Sequence, residues 1–385
     1  HVARDDARMA ALGGALDFFA ADLPVLQVPA WDCLPYDRVS PNADLSARRM
    51  DSLGRLAGRT EDDGPLVVLT TVNAMLQRLP SRDFVAEARF PLKVGERLDR
   101  EALQTYLVHA GYHRVGQVME PGEFAFRGGL IDLYPPGGRV AGDGAEDGGG
   151  DPLRIDLFGD EIEALRSFDA LSQRTTGRLK AFTLQAASEL SLDEGSVQRF
   201  RQGYRALFGA VTDSDPLYAA VSEGRKHPGM EHWLPLFHER LEPLTAYLPG
   251  AAVTLDHLAE EARDERLDAI ADFYAARKEG AEDGAGDHGS PYKPLPPDRL
   301  YLSAADWDAG LAGRVVASFT PYREPDATAR TVDLEGTQGR DFAPERTQGA
   351  NVYEALRDHL NDLRKVGRRR ILIASYSPGA RDRLK

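Results

Sequence analysis

Apolar residues near the start of the chain, Met9, Leu12, Leu16 and Phe19, recur at three- and four-residue intervals, the period of one helix face. The helix-like run reaches from Val2 to Phe19. Two short apolar runs, Val25–Val28 and Pro65–Thr70, are strand-sized, and Leu45–Leu56 and Asn73–Leu79 have helical spacing. Strand–helix–strand alternation predicts a parallel sheet covered by helices.

The pattern changes near Phe90. Asp99 opens a helix that ends near Gly111 and has Leu103, Tyr106 and Leu107 as its apolar side. Short alternating segments follow at Val115–Met119, Phe124–Arg127, Leu130–Tyr134, Leu153–Phe158 and Glu161–Ser167. Gly128-Gly129 and Gly159-Asp160 separate two pairs of them, and glycine accepts the positive φ of a tight hairpin. This region predicts a meandering antiparallel α+β module. Beyond Ser191 the pattern is mainly helical, with Val197–Phe208 and Leu255–Tyr274 as the clearest helices. A polar linker is expected at Tyr322–Thr347, then an amphipathic helix at Asn351–Val366, the basic turn Arg368–Arg370 and a buried strand at Ile371–Ser375. Ala141–Asp151 and Lys278–Pro297 are low-complexity segments that cannot build a core.

A chain of 385 residues holds roughly two to four domains. Its net charge of −14 argues against the whole chain clamping a nucleic acid, because duplex binding needs clustered cations to displace counterions. Cys33 is the single cysteine, which excludes an internal disulfide and any multi-cysteine metal site. No apolar stretch approaches the ~20 residues of a membrane span, and nothing resembles a secretion leader, so a reducing cytoplasm is the expected location. His1 falls inside a helix-like run, and Lys385 follows a strand that needs neighbours. The chain is therefore expected to be a fragment.

Catalytic motifs are absent. No lysine follows a glycine, so there is no phosphate loop, and neither a Gly-x-Ser-x-Gly elbow nor a His-Glu-x-x-His pair occurs. His227, His232 and His238, near Glu231 and Glu239, invite a metal reading. Their spacing does not place them on one helical face, and Trp233, Leu234 and Phe237 between them read as core. Asp160-Glu161 reads as a turn rather than a magnesium-orienting pair, and Asp213 and Asp215 carry no assignment. Arg368–Arg370 fits either a nucleic-acid contact or a solvated turn; residue types alone do not decide.

Three segments, Glu123–Pro135, Pro152–Glu163 and Leu165–Thr175, read together resemble the module shared by the excision-repair protein UvrB and the transcription-repair coupling factors. Trp31–Asp37, Ser40–Asn42, Thr71–Arg78, Gly111–Glu120 and Gly229–Phe237 are similar to the coupling factors in particular. The resemblance implies an α/β and α+β multidomain fold. Its parallel-sheet α/β domain (1–97 and 190–320) is split by an inserted antiparallel UvrA-binding module (98–189). A linker (321–348) and the start of a further small α/β domain (349–385) follow. It also implies a UvrA-recruiting, non-catalytic part of an ATP-dependent DNA translocase that displaces stalled RNA polymerase. ATP and magnesium, the polymerase and double-stranded DNA would be engaged by other parts of the protein, with no cofactor or metal here. A fragment of a UvrB-like damage-recognition ATPase is the alternative. Carried over residue by residue, the UvrA contacts are Arg127, Arg154 and Phe158. Arg154, Asp156 and Phe158 share one face of an alternating strand. The resemblance implies that all three contacts are exposed and that truncating them barely moves stability. If Phe158 packed inward instead, Leu157 would be the exposed residue.

Overall fold

The computed structural model describes residues 1–60, 62–135, 151–211, 215–282, 292–322, 331–336, 339–365, 371–373, 375 and 377–383. Residues 141–150 and 283–291 of the low-complexity segments, Asp213, and the Arg368–Arg370 turn lie outside them. The chain forms two compact units, His1–Pro321 and Tyr322–Lys385.

A five-stranded sheet organises the first unit, in the order Val316–Ser318, Val253–Leu255, Val2–Ala3, Val67–Thr71, Val25–Val28, with every pairing parallel. Val2 and Ala3 are therefore the central strand and not the first turn of a helix. The helix starts at Asp6, because Asp5 Oδ1 accepts the Arg8 amide at 2.8 Å and caps it. Helix Asp6–Phe19 lays Met9 against Ala3 and Leu69. Helix Ala43–Ala57 packs Met50, Leu53 and Leu56 against Leu26, Val28 and Val68. Two other predicted helices differ in their bounds from their periodicity. Asn73–Leu79 reduces to Val72–Met75, after which Leu79–Pro80 pairs with Leu241–Glu242. Leu255 belongs to the sheet, and its helix begins at Ala259. Strands Val253–Leu255 and Val316–Ser318 escape the helical reading of this region because each has only three residues.

Between the strands at Val67–Thr71 and Val253–Leu255 the chain builds a separate six-stranded sheet. The segments entering and leaving it, Phe90–Lys93 and Ala181–Leu184, pair antiparallel as a neck. Tyr106, on helix Arg100–His109, ties that helix to the neck through its hydroxyl, which donates to Ala88 O at 2.9 Å. At the return point, Glu189 is buried beside the fully buried Arg49 of helix Ala43–Ala57. Arg49 Nε donates to Glu189 Oε1 at 2.5 Å, Arg49 Nη1 donates to Pro29 O at 2.6 Å, and Trp31 Nε1 donates to Glu189 Oε1 at 3.1 Å. His238 Nε2 meets Glu189 O at 2.8 Å.

Among the described residues of the second unit the elements are helices: Ala343–Thr347, Val352–Lys365 and Pro378–Arg383. The strand expected at Ile371–Ser375 is not formed by the described residues there, and Leu372 is exposed. Among the described residues no other strand lies in this unit to satisfy its backbone, and an unpaired strand leaves those groups to water.

Removing one partner of a buried ion pair strands the other charge, at a cost of about 3–5 kcal/mol. Arg49→Met and Glu189→Gln are each expected to lower unfolding free energy by about that much, and the double variant by less than the sum of the two. Urea unfolding of the three variants measures both quantities.

Candidate protein-docking face

The six-stranded sheet runs, in spatial order, Thr175–Leu179, Glu161–Phe168, Leu153–Phe158, Leu130–Leu133, Glu123–Arg127 and His113–Arg114. All neighbours are antiparallel except the last pair. Both glycine hairpins form, with Gly128 at φ 58° and Gly159 at φ 64°. Val115–Met119 is a loop instead of the expected strand. Its Gly116 carbonyl is taken by the Arg127 side chain, and Val118 packs on Ala125 and Phe168.

Alternation divides the sheet into two faces. Phe124, Ile131, Leu133, Leu153, Ile155, Ile162 and Leu165 point inward and share a core with Leu103 and Leu107 of helix Arg100–His109. The opposite face carries Arg127, Asp132, Arg154, Asp156, Phe158 and Arg166. The hairpins bring Arg127 and Phe158 to the same end of the sheet, because Arg127 pairs with Leu130, Leu130 with Asp156, and Phe158 lies two residues beyond.

The three carried-over residues share this outer face but differ in freedom. Phe158 is 80% exposed, while Leu157 packs on the core, so the ring points to solvent. Arg127 is exposed, and its Nε and Nη2 donate to Gly116 O at 3.2 and 2.5 Å. Arg154 corrects the expectation that all three stand free. Only 18% of its side chain is exposed. Its Nε and Nη2 donate to the buried Asp132 carboxylate at 2.6 and 2.9 Å, and its guanidinium lies 4.6 Å from the centroid of the buried Phe168 ring. One edge of the guanidinium is consumed by this fork, and Nη1 is left to meet a partner. Asp132 and Phe168 fix where it points, and neither role is written in the local pattern.

The three histidines have separate surroundings. His227 is half-buried, His238 is engaged with Glu189 O, and His232 is buried with its ring edge-on to Trp31. Among the described residues no group of three His, Cys, Asp or Glu could hold a metal ion. Likewise no described helix is long and apolar enough to cross a membrane.

Residues 90–190, which include the whole six-stranded sheet and its neck, match the UvrB interaction domain family. The chain is 37% identical over 283 residues to the transcription-repair-coupling factor of Escherichia coli, covering 73% of this chain and 23% of that protein. It is 32% identical over 277 residues to that of Haemophilus influenzae (71% and 22%), and 32% identical over 278 residues to that of Mycobacterium tuberculosis (68% and 21%). The chain belongs to the transcription-repair-coupling factor family. It spans less than a quarter of the length of these relatives. In this chain the outer face just described is the exposed side of the UvrB interaction domain.

Two expected outcomes follow from this geometry. Phe158→Ala should change unfolding free energy by less than about 0.5 kcal/mol, because its ring is solvated. Arg154→Ala should cost about 1.5–3 kcal/mol by leaving the Asp132 carboxylate buried and unpaired; parallel denaturant titrations compare them. Burial lowers the His232 pKa to about 4 from its ordinary value near 6.5. The unfolded chain therefore takes the proton first, and stability present above pH 6.5 should be lost as pH falls toward 4. The loss is at most about 1.4 kcal/mol per unit. Urea midpoints across that window should fall less steeply in His232→Asn than in the parent chain.

Proposed function

We propose that this chain is the UvrA-recruiting part of a transcription-repair coupling factor, and that Arg127, Arg154 and Phe158 make the contact. The observation that carries the reading is the 80% exposed Phe158 ring on the same open sheet face of a UvrB interaction domain as the Arg127 and Arg154 guanidiniums. A solvated phenylalanine is unfavourable in the free protein and becomes an anchor when a partner covers it. Arg127 and Arg154 add directional donors for carboxylates on that partner.

The proposed whole protein is an ATP-dependent DNA translocase of the cytoplasm that displaces stalled RNA polymerase and brings excision repair to the site. Polymerase and duplex DNA would be engaged outside this chain, as would ATP and magnesium. In this reading residues 98–189 are the docking module, 1–97 and 190–320 the domain that carries it, 321–348 a linker and 349–385 the start of a third domain. No observation favours the UvrB-like ATPase alternative.

Interferometry with immobilised UvrA tests the proposal. Truncating a hot-spot aromatic costs about 2 kcal/mol or more, and ~1.4 kcal/mol is one decade in Kd. Phe158→Ala and Arg127→Ala should each weaken binding by more than about tenfold at unchanged melting temperature. Wild-type affinity in both would place the docking site elsewhere.

A further inference from the structure

The strand register aligns more than the three proposed contacts. Arg154 lies directly opposite Arg166, and Arg166 directly opposite Arg178, across three adjacent antiparallel strands. Directly opposed residues point to the same face, about 5 Å apart at the backbone. The three arginines therefore form one lateral row on the outer face, ending at the edge strand Thr175–Leu179.

Their compensation weakens outward along the row. Arg154 is held by two hydrogen bonds to Asp132. Arg166 Nη2 forms an ion pair with Asp156 Oδ2 at 2.8 Å, but Arg166 Nε and Asp156 Oδ2 are both buried without a hydrogen-bond partner. Arg178 is exposed and has no hydrogen bond or ion pair among the described residues. Like charges opposed across a sheet are destabilising, so the row is an internal cost that the fold answers fully at one end and not at all at the other. Of the acids nearest the row, Asp132 and Asp156 are buried, while Glu161, opposite Phe158, and Glu163, at the irregularity of the same strand, are exposed. The charge that reaches solvent along the row is thus basic, in a chain whose net charge is −14.

We infer that the docking face extends sideways from Arg154 through Arg166 to Arg178, and that the partner lays a carboxylate-bearing surface across this row while covering the Phe158 ring. The inference rests on the docking reading above and adds the partner's chemistry and a further contact, Arg178. A basic residue on an edge strand also discourages edge-to-edge pairing between copies. That role predicts self-association on mutation without loss of partner affinity, so the two are separable.

The test uses the whole chain and UvrA as the probe, over a salt series, with Phe158→Ala as the reference variant. Arg178→Ala should weaken binding about three- to tenfold and Arg178→Glu more than tenfold, each with a shallower salt dependence and an unchanged melting temperature. Arg178→Lys should recover most of the affinity. If Phe158→Ala weakens binding but Arg178→Glu binds like the parent chain at every salt concentration, the extension is overturned and the docking reading stands. The extension is equally overturned if Arg178→Glu only causes self-association. If the parent chain does not bind UvrA, the docking reading fails and the extension fails with it.

Discussion

The placement of the inserted sheet depends on one buried ion pair. The chain departs from the parallel sheet after Thr71 and rejoins it at Val253, and Arg49 with Glu189 fastens the return. Neither side chain reaches solvent, and the pair accepts the Trp31 indole and commits Arg49 to the Pro29 carbonyl. Arg49 Nη2 and Glu189 Oε2 remain buried without a protein partner, so the pair is not an economical source of stability. A pair of apolar residues of similar volume often does as well. Its effect is geometric: the buried Arg49 side chain bonds Glu189 through Nε and the Pro29 carbonyl through Nη1, which ties the returning segment and the loop at Pro29 to helix Ala43–Ala57.

The neck transmits that placement to the module. Phe90–Lys93 pairs with Ala181–Leu184, and the hydroxyls of Tyr106 and Tyr112 bond the carbonyls of Ala88 and Gln185 around it. The module's inner sheet face is consumed by its helix and by this neck, and the outer face remains open. A half-covered antiparallel sheet of this kind is a stable platform, because one face suffices for the core and the other is free to carry charge. The outer face is not uniformly polar. Ala125, Phe168 and Val118 form a small apolar floor beneath Arg154, so the guanidinium is held from below by an aromatic ring and from the side by Asp132. Docking with a side chain already fixed loses less conformational entropy than docking with a free one.

Periodicity and turn chemistry, both local properties, were enough to place the antiparallel strands Phe124–Arg127, Leu130–Tyr134, Leu153–Phe158 and Glu161–Ser167 to within a residue or so. Two-residue alternation also put Phe158 on the face opposite Ile155, because side-chain direction on a strand follows from parity alone. The turn pairs Gly128-Gly129 and Gly159-Asp160 fixed two hairpin registers, because in each the leading glycine adopts the positive φ that a tight turn needs. Non-local pairing was not legible. Val2–Ala3 is a strand only because Val67–Thr71 and Val253–Leu255 flank it, and two residues carry no period of their own. The reach of Arg154 to Asp132 depends on register across the long connection between Leu133 and Leu153, which no turn motif specifies. The alignment of Arg154, Arg166 and Arg178 likewise exists only once three strands are side by side. The sequence by itself thus determined which residues could be exposed. The tertiary structure decided which exposed residues are free, because a side chain's freedom depends on neighbours brought from elsewhere in the chain.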